Sequence, residues 1–240
     1  MSSSCFFDAL DLRSSVSLQV VTRYILSVVS LLVVFLSADS FGQSAPPVTE
    51  STFVDIKRVD PTILIELRYA SSNNSIHQPL YPPSMPAMVR FSVAQRLAFA
   101  QKYLKAHGYG LKIWDAYRPK AAQEKLWAAT KNNDYVADPR EGIGSMHTRG
   151  TAVDATMVNL AGKEVSMPTG FDNFTPAAMI RYQGSDPKIR SNLKLLQKAM
   201  ARAGFYGLRT EWWHFCAGDW MTYPPVPEIQ LLAQAPPQGL

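Results

Sequence analysis

The segment Ser145-Met146-His147-Thr148-Arg149-Gly150-Thr151-Ala152-Val153-Asp154-Ala155-Thr156-Met157-Val158 changes character half way along. Residues 151–158 read as a strand, and Asn159 to Gly162 form a turn that can return it as a hairpin. Residues 145–150 do not extend that strand, because Gly150 interrupts it. On a straight strand, positions seven apart point to opposite sides. For His147 and Asp154 to meet, His147 must sit in a loop bent back over Asp154. A second segment, Glu211-Trp212-Trp213-His214, poses the same problem. It reads as a short aromatic strand, residues 211–216, on which Glu211 and His214 would diverge. Both can face one point only if the strand twists or bulges near Trp213.

The rest of the chain supplies a framework for these two segments. Apolar Ile63, Ile65, Leu67 and Tyr69 alternate along residues 62–69, which is a strand period. Residues 70–88, rich in Ser, Asn and Pro, form a long loop of the kind that often covers a site. Ser92 with Gln95 reads as a capping box for a helix carrying Val93, Leu97, Ala100 and Leu104 up to Gly108. Residues 111–117 read as a strand, and Pro119 as the first residue of a helix with Ala122, Leu126 and Ala129. Asp186-Pro187 opens a helix with Ile189, Leu193, Leu196, Met200 and Ala203 on one face, ended by Gly204. Strands and helices in mixed order, with a hairpin and no internal repeat, predict a single α+β domain with a small, mainly antiparallel sheet flanked by helices.

Composition narrows the function. At 240 residues and 47% apolar the chain is globular. Its net charge of +5 comes from scattered Lys and Arg, with no basic run or aromatic-basic interleaving, which excludes nucleic acid as a partner. Residues 24–38 are an uncharged, predominantly apolar run preceded by Arg13 and Arg23. That length suits a signal-peptide core better than a span of roughly 20 residues. The predicted organisation is a signal segment over 1–42, either cleaved before Gln43 or kept as an anchor, then a linker over 43–52. A domain over 53–223 and a Pro-rich tail over 224–240 follow. Contact with a membrane is confined to the N-terminal segment, and the protein is exported. Cys5 precedes the apolar core, on the wrong side for a lipid-anchored cysteine, so the mature chain keeps only Cys216 and no internal disulfide. Cys216 reads as a small buried residue beside the site.

Two of the four histidines have suggestive neighbours. A catalytic zinc takes three protein ligands from His, Asp and Glu and leaves a fourth position for water. His147, Asp154 and His214 make such a set. Glu211 is left over as the carboxylate that deprotonation of water requires. His77, in the polar loop, and His107, at a helix C-terminus, are not assigned to the metal. Arg118 follows a strand and precedes Pro119, a rigid place for a cation facing developing negative charge.

Read with Leu67-Arg68-Tyr69-Ala70 and Asp115-Ala116-Tyr117-Arg118-Pro119, these segments resemble the D-alanyl-D-alanine dipeptidases, zinc peptidases known from vancomycin-resistance clusters. The four motifs occur in the family order over roughly residues 55–225. The resemblance implies the fold shared with murein carboxypeptidases and the hedgehog signalling domain. It implies one Zn2+ per chain on His147, Asp154 and His214, Glu211 as general base and Arg118 as oxyanion stabiliser. It also implies Ser145 and Asp172 as holders of the ammonium group of a small D,D-dipeptide. Export departs from the resistance-type enzymes, which act inside the cell, and points to the periplasm or envelope of a bacterium. A murein D,D-carboxypeptidase or endopeptidase uses the same machinery and remains the second reading. A non-catalytic zinc module remains the third, though it needs neither Glu211 nor Arg118.

Overall fold

The computed structural model describes residues 48–226. The predicted signal segment, residues 43–47 of the linker and the tail beyond Val226 lie outside these residues. Among the described residues, no helix is long and apolar enough to cross a membrane.

A five-stranded sheet carries the site. Its strands are β2 (Leu64–Ile65), β4 (Tyr109–Asp115), β5 (Ala152–Asn159), β7 (Glu211–Ala217) and β6 (Phe205–Leu208), in that spatial order. Only the β2–β4 pair is parallel. β1 (Phe53–Asp55) and β3 (Met88–Arg90) make a separate antiparallel pair. The helices are α1 (Ile56–Val59), α2 (Phe91–Lys105), α3 (Lys120–Thr130) and α4 (Pro187–Arg202). This is the α+β arrangement expected.

The period of two along β5 separates core from site. Val153, Ala155 and Met157 join Leu111 and Ile113 of β4 in the main core, with Leu97 and Leu104 of α2 and Leu193, Leu196 and Met200 of α4. Asp154 and Thr156 alternate with them on the other side. There a smaller cluster of Tyr69, Leu80, Tyr81, Ala122, Leu126 and Val136 packs beneath the loops.

Several local expectations need correction. The predicted strand over 62–69 pairs only at Leu64 and Ile65, because residues 68–70 turn into a 3₁₀ helix that drives Tyr69 inward. The alternation there recorded burial of Ile63 and Tyr69, not a continuing ladder. No capping box starts α2: its N-cap is Arg90, without a side-chain cap bond, and the Ser92 hydroxyl instead bonds the Tyr223 hydroxyl at 2.9 Å. Pro119 is the N-cap of α3, one place before its predicted position. The hairpin return after β5 is a single bridge, Val158 to Glu164. Asp186 caps α4 as predicted, accepting from the Lys188 and Ile189 amides. The start of the predicted tail is pinned: the Pro224 carbonyl accepts from Arg90, and the Val226 amide donates to the Thr148 carbonyl.

Candidate metal centre

The two bends required by the sequence are both present. His147 lies in a 3₁₀ turn over residues 147–149, and Gly150, at φ +71°, reverses the chain before β5 begins. β7 bulges as well: Phe215 pairs with Gly207, yet Glu211 pairs with the very next residue, Leu208. The surplus residues re-aim Glu211 toward the side of His214.

A third irregularity had no sequence signal. On β4, Ile113 pairs with Ala155 but Asp115 pairs with Asp154, so one extra residue sits at Trp114. Without that bulge Asp115 would share the core face of Ile113. With it, Asp115 stands beside Asp154.

Three donor atoms converge. His214 Nδ1 is 3.0 Å from Asp154 Oδ1 and 3.2 Å from His147 Nε2, and His147 Nε2 is 3.5 Å from Asp154 Oδ1. Metal–ligand bonds of roughly 2.0–2.2 Å in tetrahedral geometry give donor separations of about 3.3 Å. The three residues therefore suit one small divalent cation, and all three are buried. The remaining ring nitrogens have partners too. His147 Nδ1 lies 2.7 Å from the Ala116 carbonyl, and His214 Nε2 lies 3.1 Å from Cys216 Sγ. Such outer partners fix which nitrogen faces the metal. Cys216 is two residues along β7 from His214, on the same face, and supports the ring rather than joining the donor set.

Burial alone would raise the Asp154 pKa, but His147 and His214 hold its carboxyl well below the usual range. Burial opposes a charge on His214, yet Cys216 and Asp154 raise its affinity for a proton above that of ordinary histidine. Proton and cation compete for these donors.

Glu211 and Arg118 flank the triad. Glu211 Oε2 is 3.9 Å from His214 Nδ1, outside bonding range of the donor cluster but one water away. Burial raises its pKa, reinforced by Asp154 and Asp172. The Arg118 guanidinium donates through Nε and Nη2 to Asp115 Oδ2 at 3.0 and 2.7 Å, and Nη2 lies 3.8 Å from Asp154 Oδ2. It thus places one cation against two adjacent carboxylates. Asp115 also accepts from the Tyr81 hydroxyl.

Ser145 and Asp172 reach the same cavity of about 220 Å3, lined by the triad, Glu211, Arg118 and Tyr69, with Leu126, Val136 and Phe174 on its apolar wall. Asp172 is buried, at φ +55°, and its carboxylate accepts from the Tyr69 hydroxyl and from the amide and hydroxyl of Ser75. His77 and His107 lie elsewhere; His107 Nδ1 contacts the Tyr103 carbonyl at 2.8 Å. Tyr69, Ser75, Asp115 and Gln123 were given no role by the sequence. Tyr69 and Asp115 stand inside quoted motifs, the one signal that could have marked them.

The chain matches the family described as D-ala-D-ala dipeptidase over residues 49–230. It is 33% identical over 171 residues to the D-alanyl-D-alanine dipeptidase of Escherichia coli, covering 71% of this chain and 87% of that protein. The D-alanyl-D-alanine dipeptidase of Enterococcus faecalis is 35% identical over 141 residues, covering 52% and 70%. Among solved structures, a zinc complex of a vancomycin-resistance D,D-pentapeptidase aligns at TM-score 0.37 and 15% identity, over 57% of this chain and 77% of that one.

Proposed function

From the premise that the chain belongs to the D-ala-D-ala dipeptidase family, we propose that it is a zinc peptidase that hydrolyses free D-alanyl-D-alanine to two D-alanines. The observation that carries this reading is the position of Asp172. A buried carboxylate shares one small cavity with the metal donors, where a free dipeptide would place its ammonium group. At about 220 Å3 the cavity is smaller than the roughly 300–1,000 Å3 of pockets for drug-sized ligands.

His147 Nε2, His214 Nδ1 and Asp154 Oδ1 would hold one Zn2+. When bound, zinc supplies Lewis acidity that polarises the scissile carbonyl and acidifies water. Asp172 and Ser145 bind the substrate ammonium and so fix the scissile bond relative to Glu211. Glu211 removes a proton from the attacking water and returns it to the departing amine. Arg118, held charged by Asp115 against the cost of burial, faces the negative charge that grows on the carbonyl oxygen. Leu126, Val136 and Phe174 give the cavity an apolar side against which the substrate's methyl groups can pack.

The apolar segment over residues 24–38, preceded by Arg13 and Arg23, supports work in the bacterial envelope, on dipeptide released from wall peptides. Incubating the zinc-loaded protein with D-Ala-D-Ala, L-Ala-L-Ala and muropeptides tests the proposal. Free D-alanine should appear from D-Ala-D-Ala alone. Faster release from muropeptides would replace it with the murein carboxypeptidase reading.

A further inference from the structure

Gln123 is 1% exposed on α3, and its amide meets two chemically opposite partners. Its Oε1 accepts from Arg118 Nη1 at 2.8 Å, and its Nε2 donates to the Ala137 carbonyl at 2.7 Å. A guanidinium only donates and a carbonyl only accepts, so the amide has one workable orientation. Asp115 grips the opposite edge of the guanidinium through Nε and Nη2. A planar group held along two edges cannot swing about its own stem.

Gln123 also reaches beyond Arg118. Ala137 ends a run of residues, 133–137, that lines the catalytic cavity, and Thr210 ties Asp134 of that run through its carbonyl at 3.0 Å. One amide thus links the cavity wall to the arginine.

We propose that Gln123 is a positioning residue that sets the orientation of Arg118, its bond to Ala137 fixing which way the amide points. The inference rests on the reading of Arg118 as the oxyanion-stabilising cation. Gln123 touches no metal donor; it acts through the arginine. Its loss leaves the charge of Arg118 in place but frees Nη1.

The test is a double-mutant cycle on the zinc-loaded enzyme with D-Ala-D-Ala. Gln123→Met is close in volume but offers neither bond. Arg118→Lys keeps the charge that Asp115 needs but drops the donor that Gln123 grips. Gln123→Met should lower kcat roughly tenfold to a hundredfold, the scale of a misplaced group, with KM and zinc content little changed. In the double variant it should slow Arg118→Lys no further. Costs that multiply, or wild-type turnover in Gln123→Met, overturn the inference alone. Wild-type turnover in Arg118→Lys overturns the inference, and wild-type turnover in Arg118→Ala overturns the arginine reading beneath it. Should Gln123→Met melt below the assay temperature, Gln123→Glu decides. It keeps the acceptor for Arg118 and loses the donor to Ala137, so turnover near wild type supports the grip and a hundredfold loss overturns it.

Discussion

The Tyr69 hydroxyl lies 3.0 Å from Asp172 Oδ1 across 103 positions of sequence, and it holds a carboxylate that pays for burial with few opposite charges. Burial raises the Asp172 pKa to about 7; the Ser75 amide, Arg118 and the Tyr69 hydroxyl oppose the rise, while Asp154 adds to it. A carboxyl whose folded pKa exceeds its unfolded value binds its proton more tightly when folded. Its contribution to stability is therefore complete below about pH 4 and is lost as pH rises through about 7. The gap from 3.8 to about 7 has a ceiling of about 4 kcal/mol. In the metal-free protein, Asp172→Asn should melt above wild type at pH 8, and the two should converge near pH 4. Equal melting temperatures at pH 8 would refute this.

A second prediction concerns the metal. His147→Ala, Asp154→Asn and His214→Ala each remove one of three convergent donors. Each should weaken zinc binding beyond the 10–100-fold typical of lost outer partners. Metal analysis after dialysis against a weak chelator measures it, and full retention by both histidine variants would end the ligand assignment.

Binding and chemistry separate at Glu211 and Arg118. Glu211→Gln should keep its zinc and lose most turnover, since Glu211 lies 3.9 Å from His214 Nδ1 and is not among the three donors. Arg118→Ala should cost about 2.7–4 kcal/mol of transition-state stabilisation if it acts as an oxyanion donor. It should also lower the melting temperature, because Asp115 would be left buried without its cation. Steady-state rates with parallel melting curves distinguish the two effects.

Gly150 gives a prediction about the bend itself. At φ +71° an L side chain is strained, and a Cβ there would lie 2.4 Å from Phe53 Cε1. Gly150→Ala should therefore destabilise the fold by more than the ~1 kcal/mol at stake in permissive glycine exchanges. It should also loosen zinc, because the same turn carries His147. A variant with unchanged melting temperature and zinc affinity would show that the turn tolerates rearrangement.

These residues also show where sequence reasoning reached its limit. His147, Asp154 and His214 were legible because few residue types bind zinc, and the bends at Gly150 and in β7 followed from strand parity. The β4 bulge at Trp114 was not legible, since nothing local distinguishes it from a regular strand, and Asp115 therefore received no role. Tyr69 was read as one more inward strand residue. Its bond to Asp172 depends on a contact between distant loops. Ser92 and Gln95 satisfied a local capping pattern, but tertiary packing gave Ser92 a different partner, Tyr223. Local rules describe what a side chain can do; the fold decides which option is taken.

Substrate size provides the last prediction. A free dipeptide carries its ammonium close to the scissile bond, whereas the same bond in a wall peptide does not. Asp172 is 7% exposed and its donors are neutral groups from Tyr69 and Ser75, so a bound ammonium would complete its charge balance. An N-acylated substrate would leave that carboxylate buried without a cation. Removing one partner of a buried charge pair costs roughly 2–5 kcal/mol, enough for strong discrimination. D-Ala-D-Ala should accordingly be cleaved far faster than N-acetyl-D-Ala-D-Ala or a pentapeptide ending in the same pair. Asp172→Ala should narrow the ratio of kcat/KM values mainly by losing activity on the free dipeptide. Ser145→Ala should narrow it less, because its hydroxyl carries no charge. Comparable kcat/KM on the free and acetylated dipeptides in the wild-type enzyme would exclude ammonium recognition by Asp172 and transfer the site to the carboxypeptidase reading.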